Sequence, residues 1–249
     1  MGKSGSAGAR RLAALQQIDW QRNRLIAALP PTCVEEWRSF AGPVQMEQGE
    51  TVCEPGSSIR FVHFPIDAVV ALLSVLATGT SIQIGMVGFE GVVGITSFLS
   101  GRTANTRAVI QVPGAAIRVP AHLVRKAFDQ GGAVMHLLLR YTQARMAQLS
   151  QTAACNRYHR PDQQLCGWLL LSLDRVGASE LVTTHELIAS MLGLRRETVT
   201  DAIQRLQASG LIRSTRGRIQ VLDRAGLERR ACECYRVVRS EYERLLPWS

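Results

Sequence analysis

Lysine is almost missing from this chain: Lys3 and Lys126 are the only 2, against 27 Arg. With 29 basic and 20 acidic side chains in 249 residues, the formal net charge is +9. A guanidinium is a planar fork that matches phosphate and guanine edges better than an ammonium does. The skew therefore suits a polyanionic partner, nucleic acid ahead of a membrane surface, although a GC-rich genome produces the same bias. Long apolar runs are missing too. The longest, Ala68 to Ala77, is interrupted by Ser74 and reaches about half the length that a bilayer-spanning helix requires. Cysteines are few and scattered, at 33, 53, 155, 166, 232 and 234. A chain of this length needs no disulfide framework, so they read as reduced thiols. The segment Met1–Arg10 is small and basic without the apolar centre of a secretion signal, which implies a cytoplasmic protein with no membrane partner. What is present, 46% hydrophobic and 20% charged residues, excludes wholesale disorder and fits one large or two ordinary domains.

The texture changes along the chain. Residues 1–9 read as a tail, and Leu12, Leu15, Ile18, Leu25 and Leu29 fall at helical spacing up to Pro30-Pro31, giving an N-terminal unit over 1–33. From about 34 to 131, short apolar runs alternate with Gly and Pro. Ile59/Phe61/His63, Ile82/Ile84/Met86 and Val109 to Ile117 read as strands of a sandwich or small barrel. After Pro120 the period is helical. Met135, Leu139, Thr142, Met146, Leu149 and Ala153 form a heptad seam within 132–160, the pattern of a helix packed on a twin. A second apolar set, Val134, Leu137, Leu138 and Tyr141, predicts that another face covers the strand-rich unit. Pro161 disfavours helical dihedrals at Arg160 and suits the first turn of a new helix, so a hinge is expected there, opening a last unit over 161–249.

That last unit carries the sharpest pattern. Thr183-Thr-His-Glu186 reads as a capping box between Thr183 and Glu186, before a short helix that Gly193 ends. A second helix from about Arg195 buries Val199, Ile203 and Leu206 and presents Arg195, Arg196, Glu197, Thr200, Asp201 and Gln204 on its other side. Gly210–Arg213 and Ile219–Leu222 then flank a basic tip, Ser214-Thr-Arg-Gly-Arg218. Short helix, glycine turn, polar-faced helix and basic hairpin make a winged helix-turn-helix, whose second helix fits the major groove. Residues 195–218 hold six Arg against Glu197 and Asp201, a net of +4 in 24 residues.

With its Leu192-Gly-Leu-Arg-Arg-Glu-Thr-Val199 core, the stretch Thr183–Leu222 resembles the winged helix-turn-helix of the cyclic-AMP receptor protein and fumarate–nitrate regulator (Crp/Fnr) family. Gly49-Glu-Thr-Val-Cys-Glu-Pro-Gly56 resembles the glycine-framed turn near the start of that family's cyclic-nucleotide-binding β-roll. The implied fold is α+β: an N-terminal β-roll, or jelly roll, then a long dimerisation helix and a C-terminal winged helix-turn-helix. The implied function is sequence-specific transcription regulation by a homodimer on palindromic double-stranded DNA, with RNA polymerase as a second candidate partner. The implied DNA contacts are Thr183, Thr184, Arg195, Arg196, Glu197, Thr200, Asp201, Arg205, Arg216 and Arg218. Among them Arg196 is matched to guanine O6/N7 and Glu197 to a cytosine amino group. The family's second arginine of this helix is Asp201 here, so half-site preference should differ at that base pair.

The resemblance places candidate effector contacts at Glu90, Gly94, Ile95, Thr106, Arg107 and, on the long helix, Ser150. A cyclic-nucleotide site needs a carboxylate for the ribose and an Arg for the phosphate. The family's carboxylate falls on Gly94, and Arg107 is displaced by at least one position, which reverses its face in a strand. Cyclic AMP is therefore not expected to bind in the family's way, leaving an unknown small effector or none. No metal or other cofactor is expected. Only Cys33 precedes residue 50, unlike the iron–sulfur members of the family. Cys232 and Cys234, two apart in one presumed helix over Arg224–Leu245, should point their sulfurs to different faces. Redox control through Cys155 and Cys166, which bracket the hinge, is the alternative within this fold, and His63, His136 and His159 are the histidines open to haem. A cupin-like metalloenzyme with a DNA-binding tail would want clustered histidines where the strand region offers His63 alone, so no enzyme is expected. A non-specific DNA-coating protein would ignore sequence at matched salt. The extension 224–249, with Tyr235, Tyr242, Leu245 and Trp248, is expected to pack on the winged helix or to face polymerase.

Overall fold

In the computed structural model, which describes residues 17–99 and 101–246, the N-terminal half folds into seven strands. They are β1 (Gly42–Met46), β2 (Thr51–Cys53), β3 (Phe61–Pro65), β4 (Val69–Val75), β5 (Ser81–Val87), β6 (Arg107–Val112) and β7 (Gly114–Pro120). One antiparallel sheet runs β1-β7-β3 and the other β2-β6-β4-β5. Their inner faces share a core of Met46, Val70, Val87, Val93, Ile110 and Ala116. The strand β4 shows why the run at 68–77 has no alternation. Val70 points into the sandwich while Val69, Ala71 and Leu73 point outward into a second core, so both faces are dry.

Around this sandwich lie α1 (Arg24–Ala27), α2 (Pro31–Arg38), α3 (Thr96–Leu99), α4 (Ala121–Asp129) and the long α5 (Gly132–Tyr158). The single helix expected over 11–29 is corrected in its described part, from residue 17 on: a 3₁₀ turn at Trp20–Arg22 and the short α1 replace it there, separated at Asn23. The Asn23 carboxamide oxygen accepts from the amides of Leu25 and Ile26, and its Nδ2 donates to the carbonyls of Pro65 and Gly91 at 2.8 and 2.9 Å. One buried side chain thus starts a new helix and fastens it to the sandwich. Leu12, Leu15 and Trp248 lie outside the described residues.

Beyond α5, Arg160 is extended (φ −71°, ψ 153°) and Pro161 opens α6 (Pro161–Val176). There follow β8 (Glu180–Val182), α7 (His185–Leu192), α8 (Arg196–Ala208), β9 (Ile212–Thr215), β10 (Arg218–Val221), α9 (Arg224–Arg230) and α10 (Glu233–Leu245). The small sheet has the order β8-β10-β9. Among the described residues no helix is long and apolar enough to cross a membrane.

The C-terminal helices do not stand apart from the sandwich. Leu165, Trp168, Leu169, Ile188 and Met191 share one core with Val69, Ala71, Leu73 and Met86 on the outer face of the four-stranded sheet. Polar groups seal the same interface: the Trp168 indole N–H donates to Gln83 Oε1 at 2.8 Å, and the Gln111 carboxamide donates to Ser172 Oγ at 2.9 Å. The Glu90 carboxylate on the sandwich accepts from Arg175 Nε of α6 at 2.7 Å, both side chains buried. Gly88 lets the backbones close, because a Cβ there would lie 2.6 Å from Arg175 Cβ.

Of two expectations for the C-terminus, one holds only in part and the other is overturned. The extension does not simply cover the winged helix: α10 runs back along α5, with Val238, Tyr242 and Leu245 in the core that holds Leu138 and Tyr141. The Tyr141 and Tyr242 rings meet edge-on with centroids 6.5 Å apart, while Tyr235 enters the winged-helix core. Nor do Cys232 and Cys234 share a helix. The chain is extended at Ala231 and Cys232, so Cys232 precedes α10 as its cap and Cys234 lies in the first turn. Residues two apart diverge only on a continuous helix; across this break both sulfurs turn to one side, within 4.8 Å of each other.

Candidate nucleic-acid interface

Local sequence fixes the two helices of the interface. The α7 cap is Thr184, whose Oγ1 accepts from the Leu187 amide at 3.1 Å. This corrects the expected box between Thr183 and Glu186. Thr183 is only 5% exposed, its amide donates to Gly217 O at the wing turn, and its Oγ1 has no partner; in this position it cannot reach phosphate. Glu186, freed from capping, faces Arg196 at 3.8 Å, with both side chains exposed. Gly193 ends α7 in the left-handed region (φ +65°), and a Cβ on it would meet Ile82 Cδ1 at 2.8 Å. The turn between the helices therefore rests on strand β5 as well as needing the glycine conformation.

The second helix starts one residue later than expected, with Arg195 as its cap. It buries Val199, Ile203 and Leu206 and exposes Arg195, Arg196, Glu197, Asp201, Gln204 and Arg205. The hairpin β9–β10 adds exposed Arg213, Arg216 and Arg218, of which Arg218 pairs with Glu180 of β8. Thr200 is half-buried and bonded to His185 Nδ1 at 3.1 Å; His185 Nε2 lies 3.4 Å from Ser214 Oγ in the wing. His185 is a residue that sequence reasoning missed. It ties the first helix, the second helix and the wing together, and burial followed by the nearby Arg196 guanidinium holds its pKa below the ordinary histidine range. The signal was its position facing the polar side of the next helix.

The expected effector residues divide. Gly94, Ile95 and Thr106 line a cavity of about 100 Å³ between the sandwich and α5, walled by Ile59, Leu72 and Ile84. Glu90, Arg107 and Ser150 do not line it: Glu90 is held by Arg175, Ser150 is exposed, and Arg107 turns outward with its Nε 2.8 Å from Glu54 Oε2. The charged group that does reach the cavity is Arg145 of α5, 2% exposed, donating to Met86 O at 2.8 Å and to Gln148 Oε1. Its place in the inward stripe Leu138, Tyr141, Arg145, Gln148 was readable from the helical period. Gly85 makes room for it, since a Cβ there would sit 2.9 Å from the guanidinium.

The seam of α5 is apolar and uncovered on the single chain: Leu139 is 42% and Met146 62% exposed, and Met135, Thr142 and Leu149 are half-buried. Of the histidines considered for haem, His63 is half-buried in β3, His136 is exposed, and His159 sits beside three thiols.

Residues 163–230 match the model of the Crp-like helix-turn-helix domain. The chain is 26% identical over 208 residues to the global nitrogen regulator of Synechococcus elongatus, covering 79% of this chain and 94% of that protein. Its fold matches that of FixK2 from Bradyrhizobium japonicum, with a TM-score of 0.64 at 18% identity over 77% of this chain and 98% of the other. A CRP-family transcriptional regulator from Thermus thermophilus matches with a TM-score of 0.63 at 20% identity, over 76% and 96% of the two chains.

Proposed function

We propose that this protein is a Crp-like transcription regulator, a homodimer that reads a palindromic DNA site through α8. The match of residues 163–230 to the Crp-like helix-turn-helix domain and the likeness in fold to Crp/Fnr regulators support this reading. The observation that carries this is the two-sidedness of α8: Val199, Ile203 and Leu206 hold it to the domain, and Arg195, Arg196, Glu197, Asp201 and Arg205 are exposed on the side open to a groove. Arg196 binds guanine O6/N7 and Glu197 accepts from a cytosine amino group; Asp201 accepts from a second cytosine or orients Arg205. The Arg196–Glu186 pair is exposed and long, so releasing the guanidinium to DNA takes little energy. Thr184, Arg213 and Arg216 meet phosphates. Two copies joined along Met135, Leu139, Thr142, Met146, Leu149 and Ala153 would set the reading helices about one DNA turn, roughly 34 Å, apart.

The test starts from in-vitro selection of bound duplexes, followed by anisotropy titrations at fixed salt. Arg196→Ala weakens the selected site by about 1–3 kcal/mol and relaxes preference at one base pair of each half-site. Arg216→Ala weakens selected and random duplexes alike and lowers the salt slope by about one. Equal loss on both duplexes for Arg196→Ala would place that side chain on the backbone.

The cavity beside α5 is not a cyclic-nucleotide site of the family's kind. Pockets for ligands of that size hold at least about 300 Å³, the ribose carboxylate is replaced by Gly94, and Arg107 is bound elsewhere. Calorimetric titration with cyclic AMP is expected to give no heat of binding in the micromolar range. A micromolar isotherm lost in Arg145→Ala would overturn this and identify the phosphate's partner.

A further inference from the structure

At the hinge, four soft donors from two distant stretches converge. Cys155 and His159, one turn apart at the end of α5, meet Cys232 and Cys234 at the start of α10, and the four donor atoms lie within 4.8 Å of one another. Cys155 Sγ is 3.6 Å from Cys232 Sγ, and Cys234 Sγ is 3.4 Å from His159 Nδ1. A tetrahedral ion with metal–sulfur and metal–nitrogen bonds of about 2.3 and 2.0 Å spaces its ligand atoms about 3.5–3.8 Å apart. The observed separations fall beside those values, while a cubane iron–sulfur cluster, whose ligands bind four different irons, needs them further apart.

The surroundings are arranged as an outer shell. His159 Nε2 faces Glu233 Oε1 at 3.3 Å, the carboxylate that fixes which ring nitrogen is left to bind a metal. The Gln151 carboxamide donates to Cys234 Sγ at 3.2 Å. The Gln164 carboxamide holds the carbonyls of Cys155 and His159 at 3.3 and 2.8 Å, fixing the last turn of α5 from the side of α6. Cys232 and Cys234 are buried, and Cys155 and His159 are half-buried.

We propose that Cys155, His159, Cys232 and Cys234 form a mononuclear site for a thiophilic divalent cation of the zinc class. Three thiolates and an imidazole select such an ion over magnesium or calcium, and among the common divalent metals zinc binds more tightly than iron or manganese. All four positions are filled by the protein, so the site is closed and serves structure or regulation rather than catalysis. It lies where such a bond has most leverage. It ties the end of α5 to the start of α10, across Arg160-Pro161 on one side and immediately after the winged helix on the other. Binding releases the thiol protons and holds the winged helix in one position relative to α5.

The experiment uses the full chain purified under reductant in metal-controlled buffer, with metal content measured by mass spectrometry and cobalt(II) substitution followed in the visible and near-ultraviolet. About one zinc per chain is expected, replaced by cobalt with the intense ligand-field bands of a tetrahedral thiolate site and a sulfur-to-cobalt charge-transfer band. Cys155→Ser and Cys232→Ser lower zinc affinity at least tenfold, as expected for loss of a ligand. His159→Cys keeps the tetrahedral spectrum with a stronger charge-transfer band, and Cys166→Ser, outside the cluster, changes neither. The wild-type stoichiometry and spectrum decide even where a variant folds poorly. Metal-free protein that gives no tetrahedral cobalt spectrum, binding that survives Cys155→Ser unchanged, or a Cys155–Cys232 disulfide in freshly reduced, anaerobic protein would each overturn the proposal.

Discussion

Glu90→Ala is expected to lower the free energy of unfolding by about 3–5 kcal/mol, because it strands a buried guanidinium. Arg175 and Glu90 are both buried, 2.7 Å apart, and Glu90 Oε2 also accepts the Gly88 amide at 3.1 Å. Removing the carboxylate leaves the buried charge with no counter-charge and only the Leu171 carbonyl, 2.9 Å from Arg175 Nη1, as acceptor. It also leaves the Gly88 amide without its acceptor, at the interface between the sandwich and α6. Urea denaturation followed by tryptophan fluorescence measures the loss. Trp168 lies on the same interface, so its emission should respond before global unfolding. The double substitution Glu90→Ala with Arg175→Met should recover much of the loss, since an apolar side chain can fill the place of the pair. A loss below about 1 kcal/mol for Glu90→Ala would mean the interface is held by the apolar core alone.

Leu139→Asp combined with Met146→Asp is expected to give a folded monomer whose affinity for a selected palindromic duplex falls by about two orders of magnitude or more. Both side chains are exposed on the single chain, so the charges disturb little of its own core. On a dimer seam they would face their own symmetry copies, where like charges in a drying interface oppose association. Two linked reading heads gain roughly 10²–10⁴ over either alone, and that gain is what the monomer loses. Sedimentation velocity and anisotropy on one preparation separate the two effects. A variant that stays dimeric would move the interface elsewhere.

Much of this was legible in the residues. Gly193, Pro161 and the spacing of Val199, Ile203 and Leu206 act through local backbone and period, so the α7–α8 unit and the break after α5 follow from short stretches. What was not legible depends on distant partners. β4 reads as a featureless apolar run because the C-terminal helices dry its outer face. Glu90 was read as an effector contact because its partner Arg175 is 85 positions away. The convergence of Cys155 with Cys232, 77 positions apart, rests on a helix break at Ala231–Cys232 that has neither glycine nor proline to announce it. Thr183 and Thr184 compete for one cap, and the wing turn, by accepting the Thr183 amide, decides for Thr184.

The seat of the helix-turn-helix on β5 bears on how this protein could be re-engineered. The turn glycine rests on Ile82, Trp168 is anchored to Gln83, and Met86 lies in the common core with Met191. A chimaera that grafts a relative's reading head after Pro161 would therefore need its Ile82, Gln83 and Met86 exchanged as well. Without that, the transplanted head would sit at a different pitch and, in the proposed dimer, miss the spacing of a two-fold operator.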